Sequence, residues 1–422
     1  MKKWFKRIAL GIFTTFVLLY GILMVRSSIP ATANDKELQF PRASIPAGSN
    51  AFDVLQAATS HVWWPKEQNG HLNDLLRNTN WDEALARTAL ANNREALADW
   101  DAATKLPDFQ VPEPNINDLA PYLAQWKQLA QVAELRENVL LHNGQDKEAF
   151  DRILDHVRLG QQMQNAHGPL IDYLVGTAVR IMGLSQMQHW TGKTHLTPNQ
   201  LKDYVRQLGL NPDEEGAAFA NTIKAEYQFQ VEMLDAMRQG KITNSDASDY
   251  HPHPSRLLPL FNFSQTKALY AEEDLKLVQA APHHFNEAKL PDVYSRPSLA
   301  GMVLSGNGIG QILYYMTMPA IIPSLATKSK CDTQLQATRT ILALRAYQLT
   351  HGKLPPDLNA LVPEFLDAVP VDDFDGQPMR YSAEKKMVYS VGKNLKDDGG
   401  DDQSSPTDPS QRHLDLVYKF DF

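Results

Sequence analysis

The C-terminal stretch 349–355, Leu349-Thr350-His351-Gly352-Lys353-Leu354-Pro355, closes a long apolar helix and decides how the end of the chain is read. Outward from it, residues 311–351 read as one long helix, kinked at Pro319 and Pro323, with Leu335, Thr338, Leu342, Ala346 and Leu349 as its buried stripe. After Pro355 the texture changes. Met379-Arg380-Tyr381, Met387-Val388-Tyr389-Ser390-Val391 and Leu414-Asp415-Leu416-Val417-Tyr418 predict three short strands in a small antiparallel sheet against that helix.

Between these strands acidic side chains crowd onto glycine turns. Asp372, Asp373 and Asp375 sit beside Gly376, and Asp397, Asp398, Asp401 and Asp402 surround Gly399-Gly400. Tight turns let carbonyls and carboxylates wrap a hard cation such as calcium, which takes about six to eight oxygens. The same composition also suits solvated acidic turns, and the spacing is not that of an EF-hand, because Val371 stands where the first aspartate belongs.

The order of these elements resembles the globular part of type II secretion major pseudopilins over 311–422. Asp373-Phe374-Asp375-Gly376-Gln377-Pro378-Met379-Arg380-Tyr381 is similar to that family's Asp-Pro-Trp-Gly-Asn-Pro-Tyr-x-Tyr segment. Tyr389-Ser390-Val391-Gly392 through Gly399-Gly400 resembles its calcium loop, and Leu414-Asp415-Leu416 its closing Asp-Ile element. The resemblance implies calcium at Asp397, Asp398 and Asp415, with Asn394 and Asp401 next. Asn394-Leu395 replaces the family's Asp-Gly, the stretch 401–412 is longer, and no pilin processing site precedes the spine helix.

The amino terminus sets the expected compartment. Lys2, Lys3, Lys6 and Arg7 precede an uncharged run over 8–25 that Arg26 ends. Eighteen helical residues span about 27 Å, close to the ~30 Å hydrocarbon core. The basic flank predicts a cytoplasmic start and an exported body. The alternative is a cleaved signal peptide with Ala31-Thr32-Ala33 as its site.

Between the ends, residues 27–50 read as a linker and 51–310 as a mainly α domain, an irregular bundle or solenoid without a 34-residue period. Asn80 is a candidate cap for a helix through Trp81. Helices are expected over 117–142, 146–166, 169–190, from Thr197-Pro198, from Asn211 to Gly240, and near 264–280. Gly306-Asn307-Gly308-Ile309-Gly310 reads as a flexible joint, since no strand precedes it and no Walker lysine follows.

A net charge of −8 argues against a nucleic-acid partner. The single cysteine, Cys331, excludes an internal disulfide but leaves pairing between chains or lipid attachment open. His251, His253, His283 and His284 are the only zinc candidates, without supporting motif. Glu134, Glu137, Asp151 and Asp155 read as a solvated helix face, and Trp63, Trp64, Trp100 and Trp126 as core or as a ligand groove. No nucleophile elbow or cysteine partner is visible. The expectation is a single-pass inner-membrane protein with a periplasmic body, a scaffold with protein partners in the envelope, linked to secretion or surface assembly. The alternatives are an exported hydrolase with dispersed carboxylates or histidines, and a sugar- or peptide-binding protein.

Overall fold

The computed structural model describes residues 2–42, 44–113, 122–209, 212–239, 260–289, 297–402 and 415–422. The chain is mainly helical, with one small antiparallel sheet. Helix α1 covers Lys2–Ser28, and its described apolar side chains stand free of the body: Phe13 is 64% exposed and Phe16 67%.

A first helical layer holds α2 (Ala51–Ala58), α3 (Asn69–Leu76), α4 (Glu83–Asn92), α5 (Arg94–Ala103) and α6 (Tyr122–His142). The cap of α4 is Asp82, whose carboxylate accepts from Leu85 N, and not Asn80, which turns to a positive φ. Trp100 and Trp126 are fully buried where α2, α5 and α6 meet, so the tryptophans at that point are packing groups. The expected start of α6, residues 117–121, lies outside the described residues, as does Asn211.

Next come α7 (Asp146–Gln164) and α8 (Leu170–Thr191), the most closely packed pair. Their approach requires glycine. A Cβ on Gly160 would come within 2.5 Å of Arg180 N, and one on Gly176 within 2.7 Å of Gln164 N. These are backbone atoms, which cannot step aside. Helix α9 (Pro198–Gln207) begins with the capping box legible in Thr197-Pro198: Thr197 Oγ1 accepts from Gln200 N, and Gln200 Oε1 accepts from Thr197 N. Helices α10 (Pro212–Gln239) and α11 (Phe263–Ala280) pack together beyond α8.

The long helix expected over 311–351 is divided. Short α12 (Leu299–Leu304) precedes α13 (Gly308–Ile321), and α14 (Ser324–His351) follows after Pro323. Leu335, Thr338, Leu342 and Ala346 are buried as expected, whereas Leu349, in the last turn, is 42% exposed. The span Gly308–His351 is long and apolar enough to cross a membrane, but it is broken at Pro323. Its α14 part packs on α8 and α9, so it reads as a core helix.

The C-terminal strands are β1 (Arg380–Ser382), β2 (Met387–Ser390) and β3 (Leu416–Lys419), paired antiparallel in the order β1-β2-β3. Val388, Met379, Phe420 and Phe422 share one apolar core with Phe150, Leu184 and Leu201 of the helical body and Leu342 of α14. That core therefore spans the boundary expected near 310.

Two further sequence expectations change. Residues 27–50 are pinned to the body: Leu38 is fully buried, and Asp35 accepts from Tyr227 Oη at 2.9 Å and pairs with Lys267 at 2.8 Å. The Gly306 joint is a tight contact and not a flexible one. Gly306 takes φ +78° against Arg26 and Ser27, where a Cβ would meet Ser27 N at 2.7 Å.

Candidate functional site

The acidic loops turn on left-handed glycines, Gly376, Gly399 and Gly400, and their carboxylates are largely engaged. Asp372 is fully buried and accepts from Ser390 Oγ at 2.7 Å, Val391 N at 3.0 Å and Arg380 Nη1 at 2.9 Å. Arg380 also forks onto Asp375. Asp415 accepts from Asp398 N at 3.3 Å and Gly400 N at 2.7 Å, Asp397 from Gly399 N at 2.9 Å, and Asp398 from Asn394 Nδ2 at 2.9 Å. The loop thus brings Asn394, Asp397, Asp398 and Asp415 together, while Asp401 stands exposed beside them. Among the described residues no three His, Cys, Asp or Glu side chains converge as metal ligands.

The remaining sequence candidates separate. His283 pairs with Glu287 at 3.5 Å and His284 with Asp373 at 3.3 Å, while His251 and His253 lie outside the described residues. Cys331 is fully buried and its thiol is pushed up to about 12 by desolvation, so chain-to-chain pairing and lipid attachment are excluded for the folded protein. It belongs to an internal polar network. There Arg180 forks onto Glu215 at 2.7 and 2.8 Å and donates to Gln164 Oε1 at 2.9 Å, and Gln164 approaches Cys331 Sγ at 3.8 Å. About one turn earlier on α14, Lys328 bridges Asp332 at 3.0 Å and Asp373 at 3.3 Å, tying the helix to the acidic turn.

Glu134 and Glu137 correct the solvated-face reading. Glu137 is fully buried and meets His156 Nδ1 at 3.3 Å, beneath the edge of Trp100. Desolvation, then the neighbouring Glu137, pushes the Glu134 carboxyl up to about 8. On the same layer Asp151 accepts from Tyr204 Oη at 2.7 Å, and desolvation holds Asp155 above the usual carboxylate range.

The site sequence reasoning missed is a cavity of about 600 Å³ between the N-terminal ends of α6 and α8, the middle of α10 and the second half of α13. Leu123, Leu170, Leu174, Phe229 and Ile321 supply much of its apolar wall. The polar groups are few: Tyr122, Asp172, Glu226, Thr317 and Glu113. Tyr122 Oη donates to Asp172 Oδ1 at 3.2 Å, and Leu170 N donates to Glu226 Oε2 at 2.9 Å.

Burial raises two of these acids, Asp172 and Glu226, above the usual carboxylate range. Desolvation, against the Tyr122 hydrogen bond and with the Glu226 charge, pushes Asp172 up to about 7. Desolvation raises Glu226 as well. Behind them Asp274 of α11 is fully buried, has neither carboxyl oxygen hydrogen-bonded, and is held well above the carboxylate range by desolvation and by Glu226. A few convergent polar groups with raised carboxyls in a mostly apolar cavity of this size make it the candidate ligand site. No motif marks it, because Asp172 and Glu226 come from different helices.

The end of α1 is fastened to the body beside the start of α13. Asn262 Nδ2 donates to Ser27 O at 2.7 Å and Ile29 O at 2.8 Å, Gln265 Nε2 donates to Ile29 O at 2.8 Å, and Arg26 Nη1 donates to Leu304 O at 2.5 Å. Asn262 also caps α11 by accepting from Gln265 N at 3.0 Å, and its own N–H donates to Asn307 Oδ1 at 2.9 Å. One side chain thus ties the end of α1 to α11 and to the joint that starts α13.

No family model, curated protein or solved structure matches this chain.

Proposed function

We propose that this is a single-pass inner-membrane protein whose helical body stands on the outer face of the bilayer and serves as a binding scaffold for envelope partners. The carrying observation is α1: a helix with free apolar side chains whose last residues are fastened to the body by Asn262, Gln265, Arg26 and Gly306. Exposed side chains such as Phe16 and Val25 would be costly in water at about 25 cal/mol per Å² of apolar surface and are at home in lipid. The latch would fix the orientation of the body to the membrane, which a flexible tether would not.

A link to secretion or surface assembly rests on the pseudopilin-like order of α14, the acidic turns and β1-β2-β3, and calcium at Asn394, Asp397, Asp398, Asp401 and Asp415 belongs to the same proposal. For the ion to bind, Asp397 and Asp398 would turn from their present amide partners toward it. Among the described residues, the cavity at Asp172 and Glu226 is the place the hydrolase and sugar- or peptide-binding alternatives would use, and His283 and His284 each pair with a single acid. Alkaline carbonate extraction of membranes tests the anchor. The full chain should stay in the pellet and a chain starting at Ile29 should be released; release of both would refute it.

A further inference from the structure

Resting on the anchored reading, we propose that the cavity between α6, α8, α10 and α13 takes an acyl chain of a membrane lipid, entering past Ile171 and Met316.

The first argument is the mouth. Ile171 is 51% exposed and Met316 71% exposed, and both line the cavity. Ile312, Met316 and Ala320 recur four residues apart on α13, and all three are exposed. An apolar stripe that leads from solvent into an apolar cavity is where a hydrophobic ligand would pass. Methionine suits such a place because its unbranched side chain adapts to different chain positions.

The second argument is location. Helix α13 starts at the joint that packs on Ser27, where α1 leaves its apolar run. Met316 lies eight residues after Gly308, about 12 Å along the helix axis. One leaflet is about 15 Å of hydrocarbon, half of the ~30 Å core, so an acyl chain is long enough to cover that rise.

The third argument is the lining. The cavity falls within the roughly 300–1,000 Å³ typical of small-ligand sites. Burial raises the Asp172 and Glu226 carboxyls, which lessens the charge that would otherwise demand water inside. A protonated Asp172 beside Tyr122 also offers a hydrogen bond to an ester or hydroxyl near the chain.

The test uses the full chain in nanodiscs of phosphatidylethanolamine and phosphatidylglycerol, doped with a phosphatidylcholine that carries a diazirine in one acyl chain. Adducts are mapped by peptide mass spectrometry after illumination. Adducts on α8 and α13 as well as on α1 are expected. Ala320→Trp should lower those on α8 and α13 by about tenfold, equivalent to some 1.4 kcal/mol, and leave those on α1 unchanged. If Ala320→Trp does not fold, judged by circular dichroism, Met316→Lys at the exposed mouth makes the same test. Adducts on α1 alone would overturn the cavity proposal and leave the anchor intact. Absence of adducts on α1 would overturn the anchor and the proposal with it, and body adducts that ignore both substitutions would overturn the cavity as their source.

Discussion

Replacing Asp172 with asparagine keeps the shape of the side chain and removes its titration, which isolates the cost of that buried acid. Asp172 is raised from an ordinary value of 3.8 to about 7 in the folded chain. A carboxyl raised on folding binds its proton more tightly in the native state than in the unfolded one. Between pH ~4 and ~7 the native state therefore holds a proton that the unfolded state has lost, and stability falls as pH rises through this window. Above about pH 7 both states are ionised and the loss is complete.

Roughly three pKa units at 1.36 kcal/mol each set a ceiling of about 4 kcal/mol, and structural relaxation or water entry will reduce it. The groups facing Asp172 are Tyr122 of α6, Glu226 of α10, Thr317 of α13 and Glu113 of the preceding loop. Glu226 carries a shift of the same sign, so the informative quantity is the difference between wild type and variant at each pH. Chemical denaturation of the full chain in mild detergent at several values from pH 4.5 to 8.5 provides it. Asp172→Asn should show a shallower fall with pH and be more stable than wild type by about 1–3 kcal/mol at pH 8. Parallel pH profiles would refute the reasoning, since the acid would then be ionised or water-exposed in the native state.

Arg180→Ala should destabilise the chain by about 3–5 kcal/mol, because Glu215 is left buried and unpaired; Arg180→Met with Glu215→Leu should recover most of that in the same denaturation assay. Cys331 should resist maleimide in the native protein and react only after unfolding, as followed by intact mass; prompt native labelling would contradict its burial. Thr197→Ala should cost about 1 kcal/mol through loss of the α9 cap, read as a lowered denaturation midpoint. Millimolar calcium should raise the thermal midpoint of the full chain and Asp398→Ala should abolish the rise, with about 2.7 kcal/mol expected at one hundred times the dissociation constant. No shift in the wild type would reduce the acidic loops to turns held by their own amides.

Local signals in the sequence carried over well. The Thr197-Pro198 cap, the helix end within 349–355 and the strands around Tyr381, Val388 and Val417 appear where short-range chemistry places them. Asn80 is the cap expected from sequence, but the turn geometry gives the role to Asp82, a residue type that suits it equally. The misses are long-range. Glu137 looked solvated because its partner His156 is one helix away, and Asp172 looked ordinary because Glu226 and α13 arrive from distant parts of the chain. The 27–50 segment lacks periodicity, yet Asp35 and Leu38 find partners on α10 and α11 that no local pattern announces.

The most direct test of the central claim is the side of the membrane on which the body stands. Glu384 is exposed in the turn between β1 and β2, and the one native cysteine is buried, so Glu384→Cys provides a single reactive thiol. A membrane-impermeant maleimide added to intact spheroplasts expressing the full chain should label this cysteine fully before lysis. Labelling that begins only after lysis would place the body in the cytoplasm and contradict the account.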